Sequence, residues 1–126
     1  MRRRAIGYAL TAAFVTALGS TTPGSASDVV EIVLNGTYFS EPATVRFMVA
    51  VEPHEANRVL WIEADSADLY RASEIRLSGA GEKRLHTLTF QNLTAGHYLL
   101  RAEVRSSSGV RGTATREVVV TGVGLQ

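Results

Sequence analysis

The chain has no cysteine, which removes disulfides, thiolate metal sites, a thiol nucleophile and a lipid-modified N-terminal cysteine together. Lysine is nearly missing, Lys83 being the single example, and only 3 histidines occur. The usual inventory for acid–base and nucleophilic chemistry is therefore thin. Tryptophan occurs once, as Trp61, and proline 3 times. Long apolar runs are absent too: the longest, residues 5–19, falls short of the roughly 20 residues a membrane helix needs.

What precedes and follows that run is informative. Met1-Arg2-Arg3-Arg4 forms a cationic head, and the small polar stretch at residues 20–27 closes the segment, with Pro23 ending any helix. This is the layout of a secretory signal peptide. Residues 1–27 are assigned to a leader cleaved near Ala26/Ser27, and residues 28–126 to one domain that is secreted or periplasmic. Cleavage leaves 99 of the 126 residues and takes three arginines with it, so 10 basic side chains face 12 acidic ones and the formal charge moves from +1 to −2. No Lys/Arg cluster remains to track phosphates, so nucleic acid is not an expected partner, and membrane contact is confined to export.

Within the mature stretch the apolar period is two nearly everywhere. Val30, Ile32 and Leu34 alternate with polar or outward residues, and Asn35-Gly36 follows as a turn signal. After Glu41-Pro42, Val45, Phe47, Val49 and Val51 alternate again, until Pro53 breaks the ladder. Leu60, Ile62 and Ala64 form a third run; Ile75 and Leu77 mark a fourth; Leu88 and Phe90 a fifth. Tyr98, Leu100, Ala102 and Val104 alternate cleanly, Ser106 to Gly109 reads as a hairpin loop, and Val118 and Val120 finish the set. Residues 65–73 lack a period and are expected to cross between sheets. No segment shows a helical period of 3.6 over a dozen residues. Seven short strands in about 99 residues predict an all-β, seven-stranded antiparallel β-sandwich spanning about residues 28–124.

Leu93-Thr94-Ala95-Gly96-His97-Tyr98 carries a resemblance. Leu-x-x-Gly-x-Tyr at the start of a strand resembles the tyrosine-corner region of immunoglobulin-like and fibronectin type III-like domains. It is similar also to the strand start of small bacterial sandwiches related to carboxypeptidase regulatory domains. The spacing lacks the extra residue and the internal proline usual in fibronectin type III domains, and the paired cysteines of antibody domains are missing. The resemblance covers a strand count and one motif. It implies that Tyr98 packs under the corner with its hydroxyl bonded to nearby backbone, that Gly96 supplies the turn, and that Leu93 is part of the same corner.

Chemistry-bearing constellations are weak. His54, His86 and His97 show no ligand spacing and read as solvated or rim residues. Glu63, Asp65 and Asp68 could invite calcium, but lack a Gly-bearing loop of alternating oxygen ligands and read as a solvated turn. Serines occur without a Gly-x-Ser-x-Gly elbow. Asn35-Gly36-Thr37 and Asn92-Leu93-Thr94 match the glycosylation sequon, yet read more simply as turns. A sandwich of this size also offers little concave volume. The expectation is a protein that is not an enzyme and holds no cofactor or metal.

Trp61 stands out, because inward Leu60, Ile62 and Ala64 leave it on the outer face. If the third strand neighbours the sixth, as in immunoglobulin-like order, Leu99 and Arg101 come near it, and the three form a candidate contact surface. The plainer alternative is an indole that merely covers its sheet under an arginine stem. The expected function is a non-catalytic binding or structural module of the cell envelope, working through an envelope or extracellular protein. An accessory subunit of an exported enzyme is the alternative. A glycan-binding module, stacking sugars on Trp61 with Tyr38 or Tyr70, is a third class.

Overall fold

The computed structural model describes residues 24–25 and 29–122. Its strands are β1 (Gly24–Ser25), β2 (Val30–Val33), β3 (Tyr38–Ser40), β4 (Ala43–Val51), β5 (Val59–Asp65), β6 (Tyr70–Arg76), β7 (Leu85–Leu93), β8 (Gly96–Arg105) and β9 (Val110–Thr121), with a 3-10 turn at Gly79–Gly81. The larger sheet runs β1-β9-β8-β5-β6, with β3 also paired to β9, and the smaller runs β2-β4-β7.

Alternation explains the layers. In β4 the β-branched and aromatic residues Val45, Phe47, Val49 and Val51 turn inward, and in β8 Tyr98, Leu100, Ala102 and Val104 do the same. With Leu60, Ile62 and Ala64 from β5 they form one continuous apolar core between the sheets. Phe47 and Phe90 stack within it, ring centroids 5.9 Å apart.

Three expectations need correction. The described residues hold nine strands rather than seven, because the short β1 and β3 carry too few residues to show a period. The larger sheet is mixed: β3 runs parallel to β9, pairing Tyr38 with Val119, so the sandwich is not wholly antiparallel. Residues 65–73 do not cross between sheets. A turn closed by Ser66, whose backbone N–H donates to the Leu69 carbonyl at 2.9 Å, returns the chain as β6 beside β5. β6 is an edge strand whose inward side (Arg71, Ser73 and Ile75) is only half-buried, so its pattern is blurred. The Arg71 guanidinium donates to the Gln91 carbonyl of β7 at 2.8 Å and ties the two sheet edges together.

The leader and its cleavage near Ala26/Ser27 lie outside the described residues except for Gly24 and Ser25, which pair with Arg116 and Thr115 of β9. The chain crosses from the smaller sheet to the larger at Thr94-Ala95, between β7 and β8. That corner positions everything on β8.

Candidate functional site

β5 lies between β6 and β8, so the third long strand does neighbour the sixth. On the outer face the register sets Trp61 between Glu74 and Glu103, Glu63 between Ala72 and Arg101, and Asp65 between Tyr70 and Leu99. Trp61 is half-buried and points outward as its period requires. Its direct neighbour differs from expectation. The guanidinium carbon of Arg105 sits 4.9 Å from the indole centroid, while Arg101 reaches towards Glu63. Leu99 shares the face but stands four residues along β8 from Glu103, beside Asp65, and does not adjoin the indole.

Glu103 organises this face. It is only 6% exposed although its side chain points away from the core. A carboxylate so enclosed must be paired. Arg105 donates to its Oε1 from Nε at 3.0 Å and from Nη2 at 2.9 Å, and Arg101 pairs with its Oε2. Arg101 also reaches Glu63 at 3.5 Å, and the Tyr70 hydroxyl donates to Glu63. That hydrogen bond, ahead of desolvation and the nearby carboxylate charge, holds the Tyr70 hydroxyl above its ordinary pKa. Trp61, Arg105, Glu103, Arg101, Glu63 and Tyr70 thus form one connected strip across β8, β5 and β6. Sequence reasoning named Trp61 and Arg101 but missed Arg105 and Glu103. The signal was present: Arg101-x-Glu103-x-Arg105 at the strand period puts all three on one face.

The corner between β7 and β8 encloses Leu93 and Tyr98. Tyr98 is 1% exposed and its hydroxyl donates to the Thr94 carbonyl at 2.7 Å. Leu93 is fully enclosed, and Asn92 takes φ +60 as the chain leaves β7. At Gly96 φ is +156, and a Cβ there would meet Ser66 Cβ at 3.7 Å and the Tyr98 ring at 3.8 Å. Glu41 adds a clasp by accepting the Ala95 N–H at 2.8 Å.

The remaining candidates are dispersed. His54 is exposed and accepts the Ala56 N–H at Nδ1, and His97 is exposed on β8. His86 is not a rim residue: it faces the core from β7 at 3% exposure, with Nε2 unpartnered. Burial pushes its pKa down, against a smaller opposing pull from Glu82. Glu63, Asp65 and Asp68 do not converge, since Glu63 is engaged by Arg101 and Tyr70. Among the described residues no group of three or more His, Asp or Glu side chains is placed to hold a metal. Tyr38, on β3, lies three strand spacings from β5 and shares no platform with Trp61, while Tyr70, on the neighbouring β6, pairs with Asp65, four residues along β5 from Trp61.

Two facing sheets around one apolar core define an all-β sandwich. No family model matches the chain, and no curated protein matches it in sequence. Among solved structures it is similar to a superoxide reductase (neelaredoxin) from Ignicoccus hospitalis, with TM-score 0.59 and 13% identity over 75% of this chain and 82% of that one. A variant of the same reductase gives TM-score 0.52 at 11% identity, covering 84% of this chain and 86% of that one. The CARDB domain of a Pyrococcus furiosus protein, solved in complex with di-metal ions, gives only 0.48 at 19% identity, over 76% and 89% of the two chains, too slight a likeness to bear on function.

The expectation of a protein that is not an enzyme is overturned by this finding. It rested on the lack of a catalytic constellation and on the small concave volume of a short sandwich, yet chains of similar length and fold are superoxide reductases. At these identities the likeness carries the fold alone. A centre that passes single electrons to superoxide needs a redox group. With no cysteine and with the histidines dispersed, the described residues do not fit a metal of that kind.

Proposed function

We propose that the chain is an exported, immunoglobulin-like binding module of the cell envelope, which acts through protein contacts on the outer face of its larger sheet. The leader-like N-terminus supports export. The flanking of β5 by β8 and the Tyr98–Thr94 bond support the immunoglobulin-like and fibronectin type III-like reading of the sandwich.

The observation that carries the contact reading is the enclosed carboxylate of Glu103. It holds two guanidinium groups, 44% and 41% exposed, in fixed places beside an indole. Arginine and tryptophan are the side chains that most often anchor protein interfaces. Long arginine side chains normally lose about 0.5–1.5 kcal/mol of rotamer freedom each when a partner immobilises them. Here that ordering is already in place before any partner arrives. A face built only to cover its sheet has no need to fix both arginine heads around a carboxylate.

The test is retention of an envelope protein by the immobilised chain. The parent should hold a partner that Trp61→Ala and Arg105→Glu lose, while Tyr38→Ala, far from the strip, keeps it. A partner held equally by all four proteins would place binding elsewhere and refute the reading.

A further inference from the structure

The outer face of the smaller sheet has a different chemistry from the charged strip opposite. Val33, Met48 and Leu85 stand out of it at 36%, 38% and 49% exposure, on β2, β4 and β7 respectively. Its outward strand positions carry only two charges, Glu31 on β2 and Arg46 on β4. Among the described residues neither has an ion-pair partner within the chain. The register explains why they do not meet each other. Glu31 lies opposite Ala50, four residues along β4 from Arg46, which is about 13 Å at the usual rise of a strand.

We propose that this face is the contact between two copies of the chain, related by a two-fold axis that runs along the Val33–Met48–Thr87 row. Those three residues lie side by side across the three strands. With the axis in the plane of the interface, the row faces its own copy. The Ala50 row of one copy then lies over the Arg46 row of the other. Glu31 comes to rest about 4.8 Å to the side of the opposing Arg46, across the roughly 10 Å that separates packed sheets. Extended glutamate and arginine side chains span that distance. The two-fold makes the ion pair twice, so the face is complementary to itself in charge as well as in apolar surface.

A depression of about 310 Å³ beside the row, lined by Val33, Arg46, Met48 and Thr87 among others, gives the partner's Met48 a place to insert. Three short strands supply only about 400 Å² per copy, below the standard interface of roughly 800 Å² a side. The dimer is therefore weak and concentration-dependent, and it leaves the Trp61 face free.

The test is sedimentation equilibrium of the purified protein from about 10 μM to about 1 mM, a range suited to weak association. The parent should show a reversible monomer–dimer equilibrium. Glu31→Arg and Arg46→Glu should each weaken it by more than about tenfold, because each sets like charges against each other twice. The double variant should return it to within about threefold of the parent, since the swapped pair is again complementary. Met48→Lys, which puts two cations on the axis, should abolish it. A parent that stays monomeric throughout, single reversals that associate as the parent does, or a double variant that fails to recover would each overturn the proposal.

Discussion

Removing the Tyr98 hydroxyl tests the corner that joins the two sheets. Tyr98→Phe keeps the ring, which is enclosed by the core, and deletes only the donor to the Thr94 carbonyl at 2.7 Å. A lost hydrogen bond costs about 1–3 kcal/mol when its partner stays buried and unsatisfied. Thr94 is an exposed residue and the bond to its carbonyl is only partly buried, so the acceptor is not sealed in the core when the hydroxyl is gone. That places the expected loss near the lower end, about 1 kcal/mol. For a domain of this size 1 kcal/mol lowers the melting midpoint by about 4–8 °C. Tyr70→Phe is the matched control. Its hydroxyl bonds Glu63 on the open face, where water replaces the bond, so its loss should lower the midpoint by clearly less than Tyr98→Phe does. Differential scanning calorimetry of the three proteins decides the matter. If the two phenylalanine variants melt within about 1 °C of each other, the corner hydroxyl contributes nothing beyond a surface bond and the reasoning fails.

Three further outcomes follow from side chains in other parts of the fold. Glu103→Gln should cost about 0.5–1 kcal/mol, discounted because both arginine heads are partly solvated, and should shift the Trp61 emission as Arg105 is released. His86 has its folded pKa lowered by burial, so the unfolded chain binds more protons as the solution acidifies. Stability should therefore be flat above about pH 7 and fall as pH drops through the ordinary imidazole value of about 6.5. Urea midpoints across that window should lose this slope in His86→Leu. Gly79, at φ +74, should lose about 1 kcal/mol on substitution by alanine, because a Cβ is strained there and would meet the Glu55 carbonyl at 3.4 Å. Gly81→Ala, at an ordinary φ and with nothing within 4 Å, should instead raise the melting midpoint slightly, by the equivalent of about 0.4–1 kcal/mol.

The strands that line both sides of the core were legible because both periods were long and clean. Phe47, Val49 and Val51 on β4, and Tyr98 to Val104 on β8, alternate without a break and bury as they alternate. β6 was not legible as a strand of the larger sheet, because an edge strand seals nothing: Arg71, Ser73 and Ile75 face inward yet stay half-exposed. β3, with three residues, is held by its parallel pairing to β9, a long-range contact that leaves no local pattern. The outward direction of Trp61 followed from its neighbours, but its true companion did not. Trp61 opposite Glu103 leaves Arg101 and Arg105 two residues to either side of it on the same face, and the period alone does not choose between them: Arg101 is drawn to Glu63, and Arg105 covers the ring. His86 was misread for a related reason. It occupies an inward position on β7, in phase with Leu88 and Phe90, and that phase placed it in the core.

The contact surface is tested most directly at its one indole. Trp61 is the only tryptophan in the chain, so incorporation of 5-fluorotryptophan gives a single fluorine resonance. Titration of the retained envelope partner should shift that resonance in proportion to the bound fraction, and Arg105→Glu should abolish both the shift and the binding. Saturating partner that leaves the resonance where it stood in the free protein would contradict the account, because a contact on the outer face of β5 and β8 cannot form without touching Trp61.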